Sequence, residues 1–338
     1  MRHDPSKLTP KAEAFAEGFG KHLHTMTEAA RQAGYADPNG EVDRLMANPV
    51  VVRKVIEHLR SQAVKWQALV AKMLVTPGRE ASAKSYRGLG WFDRMPHTAT
   101  GAVAARSLTY WFRDARYWVS IIMVPIVPVL VIVPLGLAGI PLSYTALIPV
   151  PLMCLLLGWS LHNDTAFDST AVWLHTVSGV RGAADRAGRV VPVLIAGVLV
   201  IGLGSAVTVF VLDDWRLLPP LVGVSTALLL GGLGVSSITS ARFPYPAVKP
   251  GDSPFQQPQS TGAITALVQS ITMFGSILVA APAIGFGALG MFDDPAWYAA
   301  SFAAGVGLGL AVLALGIAVG GRVFDRRGPE ILAAALRA

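Results

Sequence analysis

The sequence is poor in charge and nearly free of cysteine. Only 14% of its 338 residues are Asp, Glu, Lys or Arg, against about 25% in an average soluble domain. Hydrophobic residues make up 53% of the chain, which argues against a soluble enzyme. A single cysteine, Cys154, excludes an internal disulfide framework and a cysteine-based metal site. No Gly-x-x-x-x-Gly-Lys-Ser/Thr phosphate loop occurs, so we expect no ATP hydrolysis by this chain and no cofactor within it.

The charge that is present is distributed unevenly. The formal net charge is +7, and residues 1–116 supply all of it with eighteen Lys/Arg and eleven Asp/Glu. Residues 117–338 contain ten of each sign. The first residues lead into polar sequence without the apolar core of a signal peptide. A polar N-terminal part is therefore joined to an apolar C-terminal part.

Long runs without charge predict membrane spans, because a charged residue at a helix centre in the bilayer costs about 2.5–3.5 kcal/mol. Residues 117–163 and 253–292 form runs of 47 and 40 residues without Asp, Glu, Lys or Arg. Residues 190–212, 217–241 and 295–321 add runs of 23, 25 and 27, against about 20 residues for one span. We predict an all-α membrane protein with six spans, near 118–138, 143–161, 190–212, 217–239, 263–287 and 298–321.

Basic residues are concentrated between alternate predicted spans. Short cytoplasmic loops are enriched in Lys and Arg. The loops after the second and fourth spans and the C-terminal tail hold nine basic residues, whereas the opposite loops hold only Arg216. This asymmetry predicts that both termini are cytoplasmic and that the protein lies in the cytoplasmic membrane.

The loop 162–189, between the second and third spans, is long enough to fold. On a helical projection Asp164, Asp168 and His175 share one side. A metal site is disfavoured because Asp168 and His175 would lie about 10.5 Å apart along one helix. We predict instead an amphipathic cytoplasmic helix that lies on the bilayer or docks a partner.

Residues 105–118, directly before the first span, contain five aromatic residues and three arginines. This composition is typical of an interfacial helix whose rings lie among lipid headgroups. We expect its arginines to face anionic lipid.

Several short strings in the C-terminal part form a family pattern. They are Ala104–Trp111, Arg113–Trp118, Leu157–Asp164, Ser178–Gly182, Phe243–Pro246, Pro250–Pro258 and Gly321–Arg327. Over about residues 90–338 the chain resembles actinobacterial ABC-type transporter permeases. The resemblance implies a six-helix half-transporter whose loop between the second and third spans receives a separate ATPase subunit. The expected ATPase-coupling residues are Asp164, Asp168, His175 and Arg181.

Permeases of this family carry a further membrane half upstream, so this chain corresponds to the C-terminal half. We therefore expect it to pair with a second permease half or with another copy of itself. The predicted spans contain no charged residue, and the transported substrate is not evident from them.

Residues 1–72 carry signals for four short helices. Thr9 precedes Pro10, Thr25 and Glu28 form a capping box, and Asn48 precedes a proline. The segment 25–49 then has a helix-turn-helix layout, with its turn at Ala36–Gly40. Residues 73–104 are predicted to be a linker and residues 105–338 the membrane domain.

A second resemblance covers about residues 7–62. The strings Leu8–Phe15, Glu28–Tyr35 and Arg44–Val51 resemble the N-terminal domain of phage terminase small subunits. That family binds viral DNA to begin packaging and partners a large terminase ATPase. The positions that correspond to DNA contacts are Lys11, Arg31, Arg44, Arg53 and Lys54.

Three interpretations follow from these patterns. The first is a permease subunit of an ABC-type transporter that is coupled to a separate ATPase. The second is a DNA-binding packaging protein whose membrane part is incidental, although residues 1–72 have a net charge of only +3 and could form a helical domain without DNA affinity. The third is a chimeric reading frame without a joint function.

Overall fold

The structure, a computed structural model, describes residues 8–20, 25–61, 90–168, 171–248 and 262–337. Within these residues every regular element is a helix and none is a strand, which confirms the predicted all-α class. The chain divides into two compact units, Met1–Arg87 and Gly88–Ala338. Each unit has a buried apolar core of its own.

The N-terminal unit contains four helices that begin at local capping signals. They are α1 (Pro10–Gly20), α2 (Met26–Gln32), α3 (Pro38–Met46) and α4 (49–61). Thr25 Oγ1 accepts a hydrogen bond from the Glu28 amide at 3.2 Å, and Asn48 Oδ1 accepts one from the Val50 amide at 2.9 Å. These caps satisfy amide groups that have no partner within the helix. Residues 62–72, predicted to continue the fourth helix, lie outside the described residues.

The turn predicted at Ala36–Gly40 is placed too late in the sequence. Asp37 Oδ1 accepts a hydrogen bond from the Gly40 amide at 3.2 Å, so Pro38 begins α3. Proline suits this first position because its missing amide proton would have no helical partner there. The connection between α2 and α3 is therefore residues 33–37, in which Gly34 has a φ of 83°.

Two helices precede the first span in the second unit. They are α5 (Trp91–Arg94) and α6 (Ala99–Arg113). The linker predicted at 73–104 is consequently too long at its C-terminal end, while residues 73–89 lie outside the described residues. The α6 helix packs closely on the base of the third span, where a Cβ added to Gly188 would lie 2.6 Å from Val103 Cβ.

The interfacial helix predicted at 105–118 is divided at Asp114. This residue ends α6 and caps α7 (Ala115–Leu137), where its Oδ1 accepts a hydrogen bond from the Arg116 amide at 2.9 Å. Phe112 is 62% exposed, in keeping with an aromatic surface. However, Arg106 and Arg116 do not face headgroups, because their side chains are 18% and 6% exposed and pair with aspartates.

The second unit, which we call the membrane unit, continues in its described residues through ten further α- or π-helical segments. They are α8 (Leu142–Thr145), α9 (Pro149–Trp159), α10 (Asp164–Phe167), α11 (Val172–Ser178), α12 (Gly182–Leu199), a π-helical segment (Val200–Gly204), α13 (Ser205–Leu212), α14 (Leu218–Arg242), α15 (Ala263–Phe292) and α16 (Trp297–Arg337). Among the described residues, six helical stretches, numbered here as the first to sixth spans, are long and apolar enough to cross a membrane: Ala115–Leu137, Leu142–Trp159, Gly182–Leu212, Trp215–Arg242, Thr265–Phe292 and Trp297–Gly328.

The number of membrane-compatible helices among the described residues confirms the prediction, but the third and sixth are much longer than predicted, with 31 and 32 residues. The third begins at Gly182 rather than near residue 190, and the sixth continues to Gly328 rather than 321. Charged residues had marked the predicted ends of both spans. In the structure these residues belong to the helices, since a helix can carry charge where other protein groups pair with it.

The fourth span is the centre of the membrane unit. Its most apolar window is 72% buried, against 11% for the first span. It lies parallel to α16, because Gly234 meets Gly316 at one level and Ser237 meets Gly320 further along both helices. Glycine lets the two helices approach closely at these positions. Gly307, in contrast, has no atom near its added Cβ.

The ends of the spans meet on two faces. On the first, which we call the network face, Asp325 Oδ1 accepts a hydrogen bond from the Gly182 amide at 2.6 Å, and Arg327 donates to the carbonyl oxygen of Arg242. The network face comprises Arg106, Arg116 and residues 160–168, 171–189, 242–248 and 325–327. The opposite face contains the short connection around Asp214 and Arg216. Among the described residues, α6 before the first span and Asp325 near the end of the sixth therefore both contact the network face.

Candidate functional site

The most polar buried region of the membrane unit lies on the network face. Arg189, in the first turns of α12, binds three carboxylates with one guanidinium group. Its Nε lies 2.9 Å from Asp185 Oδ2, its Nη1 lies 2.6 Å from Asp164 Oδ2, and its Nη2 contacts Asp168. All four side chains are at most 5% exposed. The pairing joins the base of the third span to the loop that precedes it.

Arg186 extends this cluster to the fourth and sixth spans. Its Nη1 donates hydrogen bonds to Thr165 Oγ1 at 3.0 Å and to Ser240 Oγ at 2.7 Å. The guanidinium carbon lies 5.0 Å from the ring centre of Phe324, which is a cation–π distance. Arg186 thus links α10, α14 and α16 while it pairs with the neighbouring Asp185.

His175 connects α11 to the cluster through both ring nitrogens. Its Nε2 contacts a guanidinium nitrogen of Arg106, and its Nδ1 lies 2.9 Å from Asp185 Oδ1. Because a guanidinium can only donate, Nε2 must accept. Arg106 also lies 3.4 Å from Asp168, so α6 is joined to the cluster as well.

These seven side chains form a charge-balanced group, which we call the charge network. They are Arg106, Asp164, Asp168, His175, Asp185, Arg186 and Arg189. Three guanidinium groups match three carboxylates in number. Such matching is required because an isolated charge out of water costs several kcal/mol. The charge network therefore holds α6, α10, α11 and α12 in one arrangement.

Three of the four predicted coupling residues meet in this network, although the prediction had placed them on one amphipathic helix. That helix does not form, because α10 ends at Phe167 and α11 begins at Val172. Asp164, Asp168 and His175 are buried and so are not a surface for a partner. Arg181 is exposed at the start of α12, outside the network.

The sequence-based prediction had assumed that Asp168 and His175 lie on one helix and are therefore too far apart to share a site. Asp168 and His175 lie on different helical segments and both contact Arg106. Among the described residues, no group of three His, Cys, Asp or Glu side chains is arranged to hold a metal ion. Here the carboxylates bind guanidinium groups.

A second polar cluster holds residues 243–248 against the loop after the second span. Asn163 makes two hydrogen bonds with the backbone of Tyr245, at 2.9 and 3.1 Å. His162 Nδ1 lies 2.8 Å from the Trp159 carbonyl oxygen, and its Nε2 contacts the Tyr245 hydroxyl. Burial lowers the pKa of His162 to about 4 and raises the pKa of Tyr245, so His162 is neutral near pH 7.

The five predicted DNA-contact residues lie on the surface of the N-terminal unit, and three of them have internal partners. Lys11 Nζ donates to the Gly34 carbonyl oxygen at 2.8 Å. Arg44 lies 3.5 Å from Glu41, and Lys54 lies 3.4 Å from Glu57. Arg31 and Arg53 are exposed. Exposed ion pairs of this kind contribute only about 0–1 kcal/mol, so they leave these side chains able to change partners.

Sequence reasoning missed Asp185, Arg186 and Arg189 as network members. The two arginines had been counted only as cytoplasmic loop charge. One sequence feature pointed to internal ion pairs, since residues 117–338 contain ten basic and ten acidic residues.

Comparison with protein-family models, with curated proteins and with solved structures finds no match to this chain.

Proposed function

We propose that this protein is the membrane subunit of an ABC-type transporter, driven by a separate ATPase subunit that binds the network face. Six membrane-compatible helices support a transport role. The observation that carries the proposal is the folded segment between the second and third spans, which the charge network joins to the bases of several helices. A partner that moves this segment would also move the spans.

The α11 helix is suited to receive that movement. Leu174 is 52% exposed, whereas the next residue, His175, is 7% exposed and belongs to the charge network. A partner could therefore contact Leu174 from outside while His175 transmits the displacement to Asp185 on α12. The amide of Gly182 bonds to Asp325, which extends the connection to α16.

In this proposal the network face is cytoplasmic, and both termini lie on that side of the cytoplasmic membrane. Arg113, Arg181, Arg242, Arg322 and Arg326 are exposed on or beside that face. The opposite face carries Asp214, Asp293 and Asp294. This distribution agrees with the enrichment of basic residues on the cytoplasmic side. Six spans are half of the complement that the resemblance implies, so the functional unit includes a second half or a second copy.

Two measurements test the proposal together. The protein should remain in membranes after alkaline extraction, and a mild-detergent preparation from its native membranes should contain vanadate-sensitive ATP hydrolysis. Leu174→Asp should remove the co-purifying ATP hydrolysis while the protein stays folded. Phe92→Asp, at a residue that is 42% exposed on α5, is the matched control and should retain it. A soluble protein, or ATP hydrolysis unaffected by Leu174→Asp, would contradict the proposal.

DNA binding by the N-terminal unit is a second candidate function. It is favoured by a compact helical unit with basic side chains on its surface, including Arg31 and Arg53. The full-length protein in detergent should then shift duplex DNA in a gel, and the affinity should fall steeply as salt rises. The double variant Arg31→Gln, Arg53→Gln should weaken that shift. An absence of any shift at low salt removes this candidate.

A further inference from the structure

A cavity of about 340 Å³ lies on the network face, bounded by the first span, the end of the second span and residues 245–248. Its walls are mostly hydrocarbon and aromatic, with contributions from Met123, Leu156, Trp159 and Phe167. No residue among its described lining carries a formal charge at neutral pH. A cavity of about 150 Å³ with apolar walls stays dry and admits benzene, so this larger one has room for about two fused or linked rings.

Three polar side chains in the cavity wall, those of Ser160, His162 and Asn163, already have partners inside the protein. Ser160 Oγ donates to the Leu157 carbonyl oxygen at 2.7 Å. Asn163 uses its amide oxygen and nitrogen on the backbone of Tyr245. His162 uses both ring nitrogens, on Trp159 and on the Tyr245 hydroxyl. A charged ligand would therefore lose its water without gaining an oppositely charged partner, which is costly.

The cavity wall is also held in place before any ligand enters. Residues 244–248 form no helix or strand, yet they are attached at two points. Asn163 holds Tyr245, and Arg116 Nη1 donates to the carbonyl oxygen of Val248 at 2.8 Å. A wall that is ordered in advance reduces the entropy lost on binding. Apolar pockets with a few fixed polar groups are the usual form of small-molecule sites.

We propose that this cavity is a binding site for a small, uncharged, apolar molecule with aromatic or hydrocarbon groups. The site does not depend on ATP-driven transport, because binding is an equilibrium property of this chain alone. Its failure and the failure of the transport proposal can therefore be told apart.

Binding can be measured with N-phenyl-1-naphthylamine, an uncharged dye that fluoresces in apolar surroundings. The purified full-length protein in detergent should give a saturable signal above the micelle background. Ser120→Trp fills the cavity from α7, and Ala247→Trp fills it from the non-helical wall, where the helix bundle is not disturbed. Each should weaken the apparent affinity at least tenfold.

Ile122→Trp is the matched control, because it places the same ring on α7 at a residue that is 47% exposed and outside the cavity lining. It should bind the dye as the unaltered protein does. The proposal would be overturned if the unaltered protein showed no saturable binding of the dye. It would also be overturned if both filling variants bound the dye as tightly as the unaltered protein. Displacement of the dye by phosphatidylcholine would assign the site to a bilayer lipid chain, and resistance to displacement would assign it to a free small molecule.

Discussion

Two arginine–aspartate pairs of the same separation lie on opposite faces of the membrane unit. Arg189 Nε is 2.9 Å from Asp185 on the network face, and Arg216 Nε is 2.9 Å from Asp214 on the opposite face. The side chains of the first pair are 4% and 0% exposed, and those of the second are 73% and 29% exposed. Equal geometry therefore occurs in two very different environments.

The environment decides what each pair contributes. Water already solvates Arg216 and Asp214, so their attraction is weak and screened. Arg189 and Asp185 have given up that solvation, so the loss of one partner leaves a buried charge without compensation. We infer that the charge network determines the local structure at one face, whereas the charges of the other face mainly determine solubility and orientation.

The largest effect is expected for Arg189→Met. This change leaves Asp164, Asp168 and Asp185 without their shared partner and should lower stability by about 3–5 kcal/mol. Thermal unfolding in detergent measures the loss. The double variant Arg189→Met, Asp185→Asn should lose less than the sum of the two single variants, because it removes both signs of charge. Unfolding at the temperature of the unaltered protein would show that the network contributes no stability.

The next largest effect is the loss of folding stability at acid pH that His162 causes. The pKa of His162 is about 4 in the folded protein, against 6.5 without its surroundings. Between these values the unfolded chain binds more protons than the folded chain. Stability should therefore fall as the pH decreases from about 6.5 to about 4, by up to about 3 kcal/mol.

His162→Gln provides the comparison, because glutamine does not titrate in this range. The variant should lose less stability than the unaltered protein between pH 6.5 and 4.5. Identical pH profiles would show that His162 is accessible to protons in the folded state. The exposed pair of Arg216 and Asp214 on the opposite face should not make stability depend on pH between 6.5 and 4.5.

A smaller effect is expected where backbone contact, rather than charge, joins α14 and α16. A Cβ at Gly320 would overlap the carbonyl oxygen of Ser237, whereas a Cβ at Gly307 of the same helix meets nothing within 4 Å. Gly320→Ala should destabilise by about 1–3 kcal/mol. Gly307→Ala should be neutral or slightly stabilising, since alanine favours the helix. Equal unfolding temperatures for both variants would contradict the close packing of α14 and α16.

The smallest effect is expected for Arg216→Gln. Its side chain is 73% exposed, and water can replace Asp214 as its partner. We expect no measurable change in unfolding temperature at physiological salt. A loss comparable to that of Arg189→Met would remove the distinction between the two faces.

The sequence predicts the helices well where a local rule determines them. Thr25 and Asn48 cap helices where predicted, and charge-free runs identify the six membrane-compatible helices. It fails at Gly182–Arg189, because a span end was inferred from charge alone. The charges there are tolerated through partners far away in sequence, such as Asp164 and Ser240, and those partners cannot be identified by local patterns.

The candidate site was found only in part for the same reason. Asp164, Asp168 and His175 were identified as a polar set, but their partners Arg106 and Arg189 were assigned to lipid and to loop charge. Spacing along one helix misjudged their separation, since the chain turns between α10 and α11. Which side chains meet is therefore determined by the tertiary packing.

The most direct test of the account is the side of the membrane on which each face lies. The one native cysteine, Cys154, is buried, so single cysteines at Arg181 and Arg216 can be labelled selectively. In intact spheroplasts of the expression host, a membrane-impermeant maleimide should label Arg216→Cys, and it should label Arg181→Cys only after permeabilisation. The reverse pattern would place the charge network outside the cell and contradict a cytoplasmic ATPase partner.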